Sequence, residues 1–110
     1  MKITLSHIFN EDGTATITDN RDFFDCKIFA VQKTKEKAME KILVLAPDFK
    51  QRNAALGLLS EQETQQIKDN IQNIRNISNS LEQQILAVIW DQTEETRTTA
   101  CDAVQDIRWP

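Results

Sequence analysis

The spacing of apolar positions changes along this chain, and each change marks an element. Near the start, Ile3, Leu5, His7 and Phe9 alternate with Lys2, Thr4, Ser6 and Ile8, the period of two that a half-buried strand requires. Asn10-Glu11-Asp12-Gly13 is a turn cluster in which Gly13 can supply a positive φ, and Thr14-Ala15-Thr16-Ile17-Thr18 is β-branched and alternating. Residues 1–18 therefore predict a β-hairpin, with His7 as a core or cross-sheet residue on a strand face shared with Ile3, Leu5 and Phe9. Asp19-Asn20-Arg21-Asp22 is a polar break, after which Phe24, Cys26, Ile28 and Ala30 alternate again. That alternation predicts a third strand over about Cys26 to Val31.

From Thr34 the period lengthens. Ala38, Met39, Ile42, Leu43, Leu45 and Ala46 fall at helical spacing. Pro47 suits the first turn of a short helix from Asp48 to about Leu56, with Gly57 as its C-cap. Ser60 and Glu63 then form an S-x-x-E capping box. Behind it runs a segment free of Gly and Pro to about Trp90, roughly 43 Å of helix at ~1.5 Å per residue. Along it Ile67, Ile71, Ile74, Ser78, Leu81, Ile85 and Val88 step alternately by four and three, an a/d seam with one polar member. A last helix is predicted after Thr93, burying Ala100, Cys101, Val104 and Ile107, with Glu94 and Glu95 near its positive end.

These elements predict an α+β fold in one domain, residues 1–110. A small N-terminal antiparallel hairpin or three-stranded sheet occupies 1–32, and a mostly helical part with the long helix (61–90) and a helical hairpin occupies 33–110. The apolar seam has to be buried somewhere. Two arrangements are open: the 94–108 helix folds back along part of 61–90, or the seam self-associates as a coiled-coil dimer or trimer. The shorter helix can cover only about half of the stripe, so the remainder meets the sheet, the 34–46 helix or another chain.

Composition narrows the function classes. A chain of 110 residues and 12.7 kDa, 40% apolar and 27% charged, is ordinary for one globular domain. Two Gly and two Pro argue against an all-β fold with many tight turns. A net charge of −4 argues against nucleic acid as a partner. Residues 26–58 are locally basic, seven cations against three acids, and read as the solvated face of a helix. Cys26 and Cys101 sit among apolar neighbours and read as buried free thiols. The N-terminus carries no signal-like apolar run, and the longest apolar stretch, Ile85 to Trp90, is far too short to span a membrane. A soluble protein of a reducing cytoplasm is expected.

The residues of catalysis are sparse. His7 is the one histidine, and no surrounding motif supports pairing it with Cys26 as a nucleophile. There is no C-x-x-C, H-x-x-x-H, G-x-G-x-x-G or P-loop, so no metal or cofactor is expected. Glu94-Glu95 and Asp102/Asp106 are ordinary solvated acids. The remaining signals concern assembly, and the expectation is a protein that is not an enzyme.

Ala46-Pro47-Asp48-Phe49-Lys50-Gln51-Arg52-Asn53, followed by a long polar helix, resembles a segment of small tail-associated and tail-fibre-related proteins of tailed bacteriophages and prophages. In those proteins a Pro-x-aromatic-Lys-Gln-Arg-Asn stretch precedes a helical hairpin, with Trp more often at the position of Phe49. Trp90-Asp91 and Ala100-Cys101-Asp102-Ala103-Val104 to Trp109-Pro110 look like the tails of the same sequences, so the likeness covers about 46–110. It implies a virion or assembly protein, a minor tail-fibre or baseplate component or a tail assembly helper, located in the virion or the host cytoplasm. The candidate partner-binding residues are Phe49, Lys50 and Arg52 at the helix start and Ile67, Ile71 and Ile74 on the seam. Phe49 could instead pack inward while Lys50 to Asn53 serve local backbone groups. An alternative function is an acidic phage-encoded inhibitor of a host protein, using Glu11, Asp12, Asp19, Asp22, Glu94, Glu95, Asp102 and Asp106. A DNA-binding regulator using the basic 26–58 segment is a third.

Overall fold

The computed structural model describes residues 1–110. Strands β1 (Leu5–Phe9) and β2 (Ala15–Asp19) form a two-stranded antiparallel hairpin, followed by helices α1 (Phe23–Leu45), α2 (Asp48–Ala55), α3 (Glu61–Ala87) and α4 (Glu94–Gln105). The class is α+β, as the periodicities predict. In the hairpin Leu5 pairs with Asp19, His7 with Ile17 and Phe9 with Ala15. Gly13 closes the turn at φ +85°, where an L side chain would be strained.

The predicted third strand is not formed, and the helical part begins at residue 23 rather than 33. Phe23 to Val31 is the opening of α1, because a stronger pattern competes with the alternation. Phe23, Cys26, Thr34, Ala38 and Ile42 lie on one helical face and are buried together. Asp22 caps the helix, its carboxylate accepting from the Asp25 N–H at 2.9 Å. Ser60 caps α3 in the same way, accepting from the Glu63 N–H at 3.1 Å. α3 ends at Ala87, short of the expected Trp90. Beyond it Asp91 Oδ1 accepts from the N–H and hydroxyl of Thr93, and Trp90 Nε1 donates to the Thr93 carbonyl at 2.9 Å. Gln92 stands at φ +66° in that turn.

The seam of α3 is covered by α1, not by α4. The two long helices run antiparallel, with Ile85 packed near Phe23 and Cys26 at one end and Ile74 against Ala38 and Ile42 further along. α4 joins only the first end, where Ala100, Cys101 and Val104 complete a core with Phe23, Cys26 and Ile85. Half of the molecule is thus a three-helix arrangement and the other half a bare helix pair. The result is elongated, 65 × 33 × 21 Å with a Cα radius of gyration of 20.0 Å. A compact chain of this length has a radius near ~13 Å.

Arg21 fixes the hairpin to the helices. Its guanidinium is 3% exposed. It grips Asp19 through two hydrogen bonds (Nε–Oδ1 3.0 Å, Nη2–Oδ2 2.8 Å) and reaches Asp102 and Gln105 on α4 at 2.8 and 2.7 Å. Gln105 Nε2 donates onward to the Ile3 carbonyl, and Thr98 Oγ1 to Asp19 Oδ2.

Candidate functional site

Bare apolar surface gathers at the end of the molecule farthest from α4. α1 finishes with Leu43, Val44 and Leu45 exposed, and Ala46, which is buried, turns the chain into α2. α2 buries none of its residues. Phe49 is 64% exposed, and Leu56 and Leu58 beyond it are 67% and 68% exposed. Gly57 at φ +71° closes this corner, with the Leu58 N–H donating to the Asn53 carbonyl at 2.9 Å. A helix with no buried side chain derives little from its own chain.

Of the polar residues at the α2 start, Gln51 serves the local backbone by donating to the Ala46 carbonyl at the end of α1. Lys50 and Arg52 make no side-chain hydrogen bond or ion pair within the chain. The inward packing considered for Phe49 is not what the fold adopts. Phe49 and Arg52 are therefore exposed at this corner, while Lys50 is half-buried on the side facing α3, beside Glu63 and Ile67.

The seam residues fare differently. Ile67 and Ile74 are 7% exposed, and Ile71 is half-buried beside the Ala38–Ile42–Ile74 cluster. α1 covers Ile74, and Ile67 is buried beside Leu45 and Lys50, so both are core residues. Periodicity identified the stripe and named the 34–46 helix among its possible covers; that this helix starts at Phe23 and also reaches the Ile85 end is concealed because its opening reads equally as a strand.

No catalytic constellation assembles. Cys26 and Cys101 are fully buried neighbours in the first core, where burial pushes both thiols up, Cys26 to about 12. Thiols held protonated at neutral pH are poor nucleophiles. Of the two places expected for His7, core or cross-sheet, it takes the second. It lies on an exposed hairpin face opposite Ile17, and no hydrogen bond joins it to Cys26. No three His, Cys, Asp or Glu side chains gather as metal ligands would. No helix is long and apolar enough to cross a membrane. The acids considered for partner contact are partly engaged at home: Asp19 and Asp102 hold Arg21, and Glu94 holds Arg97 at 2.9 Å.

No family model, curated protein or solved structure matches this chain.

Proposed function

We propose that this protein is a non-enzymatic contact protein that binds another polypeptide through the free corner formed by the end of α1 and α2. The observation that carries the proposal is the exposure of Val44 (80%), Phe49 (64%), Leu56 (67%) and Leu58 (68%) on adjoining segments. Soluble chains rarely leave so many large apolar side chains together in water, and such patches mark interaction sites. Phe49 supplies an aromatic anchor, and Arg52 and Lys50 supply cations with no internal partner. That combination of aromatic and Arg is typical of residues that dominate binding.

The setting we propose follows the resemblance of 46–110 to tail-associated phage proteins: a minor tail-fibre or baseplate component, or a helper of tail assembly. The motif that carries the resemblance, Ala46 to Asn53, includes Phe49 and Arg52 of that exposed corner. The test is deletion of the gene from the phage or lysogen that encodes it, followed by complementation. Wild-type protein should restore tailed particles, and Phe49→Asp with Leu56→Asp should leave infectious titre reduced at least about tenfold, as loss of a central anchor does. Full rescue by the double variant, or no tail defect on deletion, would overturn the proposal.

A further inference from the structure

A groove that meets the Phe49 corner at Val44 and Leu45 runs along α1 below the end of α4. α4 spans only the first half of α1, so from about Thr34 to Leu45 the third-helix position beside the α1–α3 pair is empty of helix. The segment after α4 lays Trp109 across this space, its Nε1 donating to the Thr34 carbonyl at 3.3 Å and its ring against the Ala38–Ile42–Ile74 cluster. Hollows of about 510 and 570 Å³ lie on either side of Trp109 and share its ring and Lys37 as walls. Their apolar floor includes Phe29 and Ile107 on one side and Leu45 and Ile77 on the other.

The rim is cationic. Lys33, Lys37 and Lys41 recur every four residues and so stand in one row on α1, and Arg108 joins them from the C-terminal segment. Lys41 Nζ lies 5.2 Å from the Trp109 ring centroid and Lys33 Nζ 5.4 Å from that of Phe29. Glu36 pairs with Lys33 at 3.0 Å, and Glu40 is the one acid lining either hollow. Lys37, Lys41 and Arg108 have no carboxylate within 4.0 Å. A row of like charges at four-residue spacing weakens its own helix, in a chain whose net charge is −4. Opposite charge laid along the row would reverse that cost.

We infer that this groove binds an acidic amphipathic helix of a partner protein, which takes the vacant third-helix position with its carboxylates along Lys33, Lys37 and Lys41 and its apolar side against Trp109. The row spans about 12 Å over eight residues of rise, the same repeat that acids at every fourth position present on a facing helix. The uncovered part of α1 accommodates about three turns. A net charge of −4 over the chain favours a short acidic helix over nucleic acid, whose binding rests on phosphate neutralisation by a broadly basic surface. The groove is tested at Lys33, Lys37 and Lys41 and the corner at Phe49 and Leu56, so failure of one proposal is distinguishable from failure of the other.

The test uses the full chain and a fluorescein-labelled helical peptide of about fourteen residues, Glu at every fourth position and Leu on the adjacent face, read by anisotropy. Two comparison ligands are a peptide of the same composition with its Glu out of register and an oligothymidylate of similar length. The in-register peptide should bind best, and added salt should weaken it. Lys37→Glu with Lys41→Glu should lose at least about tenfold in affinity, and Lys33→Glu alone should lose less. Lys68→Glu on α3 makes a charge change outside the groove and should stay within about twofold. Circular dichroism confirms that each variant is folded, and Lys33→Glu carries the comparison should the double variant not be. Equal binding of the scrambled peptide or the oligonucleotide, or unchanged affinity in the folded Lys variants, would overturn the inference. So would a dimer whose formation blocks the peptide, since a second copy would then occupy the groove.

Discussion

Arg21 shows how much one side chain can organise in a molecule with a small core. It is buried while its charge is met by Asp19 and Asp102, and it joins the hairpin to α4. Removing one member of such a group leaves the other charges poorly compensated, so Arg21→Ala should cost about 3 kcal/mol in denaturant unfolding. Arg21 and its hydrogen bonds hold the Asp19 carboxyl well below the usual carboxylate range. A depressed folded-state pKa gives stability that is present above about pH 4 and lost as pH falls further. The unfolding midpoint should therefore drop between pH 5 and pH 2, and Asp19→Asn should flatten that drop. The thiols act at the other extreme. Burial raises Cys26 to about 12, so its stabilisation is intact below the unfolded value near 9 and fades between about 9 and 12. Sequence could place both cysteines among apolar neighbours, but nothing in their spacing showed that α1 and α4 bring them together. Arg21 lay in a polar break, and its burial was not legible at all.

Among the elements, the hairpin, α2, α3 and α4 are legible in the sequence, and the opening of α1 is not. α3 announced itself through Ser60, Glu63 and the isoleucine seam, and α4 through Ala100, Cys101 and Val104. Replacing Ser60 by Ala should cost about 1 kcal/mol, the usual worth of an N-cap, and leave the bound surfaces intact. α1 was misread over its first turns because Phe24, Cys26, Ile28 and Ala30 fit a strand as well as a helix. What decides for the helix is Thr34 and Ala38, which continue the buried face further along, and Asp22, a cap set in a polar stretch that is equally typical of a loop. The hairpin was legible, but its inward face was not, because a two-stranded sheet with no helix against it buries neither side. Phe9 is 85% and Ile17 60% exposed. Backbone amides of β1 and β2 should accordingly exchange with solvent at least about a hundredfold faster than those of α1 and α3 around Cys26 and Ile85. Equal protection would mean that the hairpin is held by something other than its ladder and the Arg21 links.

The whole molecule exposes 7928 Å², about 1,700 Å² more than the ~6,200 Å² of a compact protein of this mass. A standard interface takes about 800 Å² from each partner, so the excess can supply contact on more than one face. Length and composition implied an ordinary globule; the elongated form arises because α4 is half as long as α1 and the turn into α2 carries that helix away from the core. Small-angle scattering on the monomer should find a maximum dimension of at least 65 Å, and a compact particle would contradict the arrangement. The most direct test of the central claim is site-specific photo-crosslinking in particle-producing cells, with the reactive residue placed at Phe49 or, for comparison, at Lys68. The account predicts a discrete adduct with a tail protein from position 49 and none from position 68. The same adducts from both positions, or none from position 49, would contradict it.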